Sequence, residues 1–245
     1  MKKINLNQIF ENNKETTSGS VIARSHNHQE SVCDFIREHD AIVGCSMYLT
    51  NKKIIETILE TRTPISIIVD KCSMRKIFDE YDFLKDKLTS DYEEFEIIKH
   101  KVVYQTGIFS HEEHSVVVSP DCAVRYFGLI KSNQYLHHEF IVGCDIDGDK
   151  VTPVKVLTGS YNFSENSNLC RENILIINDD EIAKHFFEEW ETAFVLSEKD
   201  CEDNEFSPDL LSHSDYIKIK KQIEEEEEHL NYLIKYNEGK DTVDQ

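Results

Sequence analysis

The chain reads as an α/β protein with a central, mostly buried mixed sheet flanked by helices. Three observations predict this. The apolar runs AIVGCSMYL (41–49) and ISIIVD (65–70) lack the polar alternation of a half-exposed strand, so both faces must be covered. Each is followed by an amphipathic segment, giving strand–helix–strand–helix order. With 39% hydrophobic and 10% aromatic residues in 245, there is enough apolar material for a packed core.

The elements follow in order. Residues 1–20 form an N-terminal segment ending in the turn-rich KETTSGS. QESVCDFIREH has helical spacing. Thr50 or Asn51 can cap a helix over KKIIETILETR, with Ile54, Ile55, Ile58 and Leu59 on one face, and Pro64 ends it. SMRKIFDEYDFLKDKL is a further amphipathic helix, and FEIIKHKVVY a strand. HSVVVS and CAVRYFGLI, separated by Pro120-Asp121, suit a hairpin. EFIVGCDI and VKVLTGS are strands joined at Asp147-Gly148, a hairpin signal. ENILIIN is another strand. A long helix then carries Ile182, Phe186, Trp190 and Phe194 at i/i+4 spacing behind an Asp179 or Asp180 cap. One domain over 21–196 is expected. Residues 197–245 follow as an acidic linker and C-terminal helix with the run Glu224–Glu228. Such a run is usually a solvated helix face, and its sharper reading is a protein-binding or autoinhibitory segment.

Net charge is −20, from 27 Lys+Arg against 47 Asp+Glu; residues 197–245 hold −9 of it, so the body is acidic as well. That weighs against broad nucleic-acid binding, which rests on Lys and Arg neutralising phosphates, and leaves room for a local basic patch. Seven cysteines without a C-x-x-C pair read as reduced, buried thiols of a cytoplasmic protein. No apolar run reaches the ~20 residues of a membrane span. His111, His114 and Cys122 lack zinc spacing, and Asp145-x-Asp147-x-Asp149 lacks the closing glutamate of a calcium loop. No metal or other cofactor is expected.

The informative stretch is 136–177. LHHEF is followed by VLTGSYNFS and then by RENILII, an acid opening an apolar strand. This order resembles the phospholipase D superfamily of phosphodiesterases, whose signature is His-x-Lys, then Gly-Ser-x-Asn, then an acid. The resemblance implies that His137 is the nucleophile that forms a phosphohistidine. It implies that Ser160 and Asn162 are polar groups at the phosphate, and that Glu172 fixes the histidine tautomer. It also implies a metal-independent reaction. One copy of the motif per chain implies a homodimer that joins two motifs across a two-fold axis.

The departure is Glu139, which stands at the lysine position. A carboxylate facing a phosphodiester is repelled by ~1 kcal/mol or more at contact distance. Three readings of it stand open: an inactive member, an active site with a cation from Arg171, Lys131 or a partner subunit, or an engineered charge reversal. Two main functions follow. One is a phosphodiesterase, foremost a nuclease acting on DNA or RNA, of the kind used in antiviral defence. The other is a catalytically inactive dimeric scaffold on the same fold. Hydrolysis of a phospholipid headgroup is a weaker third.

Overall fold

In the computed structural model, residues 4–6, 15–80, 97–98, 102–105, 115–118, 122–129, 135–148 and 150–199 are described. The chain divides into two compact units, Met1–Pro208 and Asp209–Gln245. The expected acidic C-terminal helix, the Glu224–Glu228 run, His111, His114 and Lys131 lie outside the described residues.

The first unit is built on one eight-stranded mixed sheet with helices on its faces, the class the sequence predicts. Its strands are β1 (Glu15–Ser18), β2 (Val21–Arg24), β3 (Ala41–Ser46), β4 (Ile65–Asp70), β7 (Val124–Phe127), β8 (Phe140–Asp147), β9 (Lys150–Gly159) and β10 (Ile174–Ile177). Spatial order is β1-β2-β10-β9-β8-β3-β4-β7. The β3–β4 and β4–β7 pairs are parallel and the rest antiparallel. Strands β3 and β4 are buried at every position, which is why their sequences show no alternation.

Helices α1 (His28–Arg37) and α2 (Lys52–Thr61) cover one face. Val32, Phe35 and Ile36 of α1 and Ile54, Ile55 and Ile58 of α2 pack with Ile42, Ile67, Ile141 and Leu157 of the sheet. Asn51 caps α2, its side chain accepting from Ile54 N at 3.2 Å. Helix α3 (Lys71–Glu80) follows β4 directly. Helix α4 (Asp180–Val195), capped by Asp179, crosses β9, β3 and β8. Its Phe186 ring meets Phe140 at 5.0 Å, and Trp190 is fully buried.

Two sequence expectations are revised. The turn-rich KETTSGS forms β1 and its turn: Gly19 at φ 58 closes a β1–β2 hairpin that pairs through β2 with β10. HSVVVS and CAVRYFGLI do not pair with each other. Ser115–Val118 (β6) pairs with β5 (Val102–Gln105) in a separate two-stranded sheet, while Val124–Phe127 lies parallel to β4. Two adjacent apolar runs satisfy a hairpin pattern equally well, and only the open edge of β4 decides where the second one goes.

Past α4 the chain returns to that outer edge. Tyr126 and Glu198 exchange backbone hydrogen bonds at 2.7 Å each way. Beneath them Lys71 Nζ meets Glu198 Oε2 at 2.7 Å, both side chains nearly without solvent contact. Arg125 donates to Ser197 Oγ and to its carbonyl, and its guanidinium lies over the Phe194 ring.

Candidate functional site

The carboxyl ends of the parallel strands β3 and β4, the start of β8, the end of β9 and the start of β10 all meet at one edge of the sheet. In open α/β sheets this is where ligand groups gather. The signature residues lie on the short segments that leave these strand ends.

The 135–139 segment is fixed at both ends. Asp70, closing β4 and fully buried, accepts from Leu136 N at 2.9 Å and from Ser73 N at 2.7 Å. At the other end the Glu139 carboxyl reaches the end of β3, where Oε1 accepts from Met47 N at 2.8 Å. Its Oε2 lies 2.7 Å from Ser46 Oγ. Ser46 Oγ is also 2.7 Å from Tyr48 O, and a hydroxyl has one proton to give. Both short contacts are satisfied together when Ser46 donates to Tyr48 O and a protonated Glu139 donates to Ser46. Titration points the same way. Burial pushes the Glu139 carboxyl up to about 8, against smaller opposing effects of Ser46 and Met47, and the nearby Glu172 charge adds to the rise. Glu139 is therefore mostly a neutral acid near pH 7. Its carboxyl is turned to the β3 end, so the repulsion expected of a carboxylate at a phosphate site is largely removed.

The Gly159-Ser160 turn brings β9 against β10. Gly159 N bonds Glu139 O at 3.3 Å, and Ser160 N bonds Asn173 O at 3.0 Å. A Cβ on Gly159 would overlap Asn173 O and press on Ile174 Cα at 2.9 Å, so only glycine permits this approach. Gly159→Ala is accordingly expected to cost about 1–3 kcal/mol by overpacking and to lower the thermal midpoint measurably. An unchanged midpoint would refute this account of the turn.

Ser160 Oγ donates to Glu172 Oε2 at 2.5 Å and accepts from Asn173 N at 3.1 Å. Asn162 keeps its Oδ1 buried with no hydrogen-bond partner among the described residues. The turn is locked from behind: Thr50 N and Asn51 N both donate to Phe163 O, and Tyr161 OH donates to Asn168 Oδ1 at 2.5 Å. His28, at the start of α1, stacks on Tyr161 at 5.3 Å and is directed at the Glu172 backbone. Burial lowers its pKa, with Arg171 and His26 adding to the effect.

Thus Ser160 and Glu172 are joined directly, and Glu139 lies close enough for Glu172 to act on its charge. His137 is exposed on the same edge and makes no side-chain hydrogen bond or ion pair among the described residues. Here the Glu172 carboxylate is bonded to Ser160, and the histidine that holds a carboxylate is the neighbour, His138. Its Nε2 is 3.2 Å from Glu189 Oε1 on α4. His137, His138 and Glu189 line a cleft of about 420 Å³, with Phe127, Tyr135 and Leu196 among its walls. Sequence reasoning missed Asp70, Ser46, His28 and the His138–Glu189 pair. The doubled histidine was the one visible signal. The others are ordinary residue types whose long-range partners lie 66 to 144 positions away in the chain.

Among the described residues no cluster of three or more His, Cys, Asp or Glu side chains forms a metal site, and no helix is long and apolar enough to cross a membrane.

No protein-family model matches the chain. It is 28% identical to an uncharacterized protein of Acanthamoeba polyphaga mimivirus over 220 residues, 80% of this chain and 74% of that one. Among solved structures it is similar to Nuc from Salmonella typhimurium, described as a phospholipase D family member. That match has a TM-score of 0.40 and 16% identity, covering 73% of this chain and 95% of Nuc. It is also similar to NucT from Helicobacter pylori, with a TM-score of 0.45 and 14% identity, covering 69% and 87%.

Proposed function

We propose that the protein is a phosphodiesterase of the phospholipase D superfamily, acting on nucleic acid without a metal through His137. One observation carries this reading: the His137–Glu139 segment, the Ser160 turn and Glu172 converge at one sheet edge, with the Ser160–Glu172 bond already made. An imidazole near neutral pH can attack phosphorus, and hydroxyl and amide donors beside it can bind the phosphoryl oxygens. A single motif per chain favours a homodimer assembled through this edge. A defence role rests on the motif resemblance alone.

The test is cleavage of single- and double-stranded DNA and RNA by the purified chain in excess EDTA. Cleavage that survives chelation is expected. Failure to cut any of them, or complete dependence on a divalent ion, counts against the reading.

A second reading, an inactive dimeric scaffold, is favoured by the position of Glu139. The family lysine would bring positive charge to the phosphate, whereas this carboxyl is committed to Ser46 and Met47. A wild type that cuts nothing beside a Glu139→Lys variant that cuts nucleic acid would select the scaffold.

A further inference from the structure

We propose that the cleft His137 shares with Tyr135 and Glu189 is a subsite for one unstacked base of a single-stranded nucleic acid. The Tyr135 ring is its stacking platform, and the Glu189 carboxylate reads the base edge. Nucleic acid as the ligand rests on the phosphodiesterase reading, to which the subsite adds strandedness and base preference. Ser160, Asn162 and Glu172 do not line this cleft, so the phosphate groups and the base occupy separate places that meet at His137.

The cleft measures about 420 Å³, within the roughly 300–1,000 Å³ of small-ligand sites. Its walls are apolar where Phe127, Leu136 and Leu196 line it. Tyr135 is 41% exposed, so its ring keeps surface available to a ligand. An aromatic ring at such a cleft can stack a base, because every base has a π-face. Lys76 Nζ stands 5.8 Å from the Tyr135 ring centroid. A cation held there offsets the phosphate that follows the stacked base. On a chain of net charge −20 it is a local positive group of the kind this binding requires.

The polar end of the cleft is selective. Glu189 Oε1 lies 3.2 Å from His138 Nε2, and the His138 ring edge rests on Phe140 at 5.9 Å, so the carboxylate is held in place. Its carrier α4 is anchored by the fully buried Trp190 and Phe194. Glu189 Oε2 makes no other hydrogen bond among the described residues. An ionised carboxylate accepts hydrogen bonds and cannot donate them. It therefore suits a base with an exocyclic amino group, such as cytosine at N4, over thymine, which carries a carbonyl oxygen at that place. In a duplex the base is paired and stacked and does not reach the cleft, whereas a single strand can splay it out.

The experiment measures binding by fluorescence anisotropy, with labelled phosphorothioate strands of about ten nucleotides that resist cleavage. The probes are oligodeoxycytidylate, oligothymidylate and a mixed-sequence duplex. The wild type is expected to bind the cytidine strand more tightly than the thymidine strand, and both more tightly than the duplex. Tyr135→Ala is expected to weaken single-strand binding about tenfold or more and to leave the duplex within about twofold, because one base–aromatic stack is lost. Tyr135→Phe keeps the ring and is expected to bind as the wild type does. Glu189→Gln is expected to bring the two single strands within about twofold of each other, because an amide donates as well as accepts. Equal effects of Tyr135→Ala on strand and duplex, no effect on either, or an unchanged cytidine preference in Glu189→Gln would overturn the subsite. Those results beside a wild type that cuts nucleic acid in EDTA overturn the subsite alone. The expected binding pattern from a chain that cuts nothing upholds the subsite and overturns the phosphodiesterase reading.

Discussion

Replacing His137 by alanine is expected to lower nucleic-acid cleavage by about 10⁴-fold or more, because loss of a covalent nucleophile removes the whole two-step path. Stability should change by less than ~0.5 kcal/mol, the usual range for exposed positions. The reason is local. His137 is exposed and makes no side-chain hydrogen bond or ion pair among the described residues, so nothing in the fold depends on it. The 135–139 segment stays in place through Asp70 and Leu136 N at one end and Glu139 at the other. Rate constants for the two proteins, and an alkaline quench of labelled substrate to look for phosphohistidine, make the measurement. A variant that keeps cleavage within tenfold of wild type, or a labelled intermediate that persists in it, removes His137 from the nucleophile role.

The second large effect is on stability. Unfolding free energy is expected to fall as pH rises from about 5 to 8, and Glu139→Gln is expected to flatten that profile. Glu139 titrates near 8 in the fold and near 4.5 as an ordinary carboxyl. Between those values the native state binds a proton that the unfolded chain has released. Its contribution is complete below the lower value and is lost as pH climbs through the upper one. At about 1.4 kcal/mol per pH unit crossed, the upper figure is roughly 4–5 kcal/mol. Urea unfolding of both proteins at about pH 5, 6.5 and 8 supplies the comparison. Stability that rises toward pH 8 in the wild type, or parallel profiles for the two proteins, would show that Glu139 is ionised in the fold.

The buried Glu139 also changes the meaning of the signature. A His-x-Glu read as a line of text places a negative charge where the phospholipase D signature that it resembles has a positive one. In the fold the carboxyl points to the end of β3, and its proton is held by burial and by the Ser46–Tyr48 contact. The electrostatic cost at this position is thereby largely avoided, while the positive charge that the lysine would bring is still missing.

Much of the scaffold was legible. AIVGCS and ISIIVD are strands buried on both faces, Asn51 and Asp179 are the caps of their helices, and Asp147-Gly148 closes the β8–β9 hairpin. These are local signals: an unbroken apolar run, a side chain that accepts from an N–H three residues on, a glycine at positive φ. The fate of HSVVVS and CAVRYFGLI was not legible, because strand pairing depends on which edge is open, and an edge is a property of the assembled sheet.

By itself, the sequence determined the α/β class and the order of most elements, because periodicity and turn chemistry act over a few residues; the three short segments that carry His137, Ser160 and Glu172 stood out through their resemblance to the phospholipase D signature. Only the tertiary structure decided which carboxylate meets which partner. Glu172 goes to Ser160, Glu189 to His138, and Glu139 to Ser46 and Met47. The reason is physical: these pairs form where strand ends and a helix from distant parts of the chain are brought together, and burial there sets the charge state of a residue whose letter alone implies the opposite one.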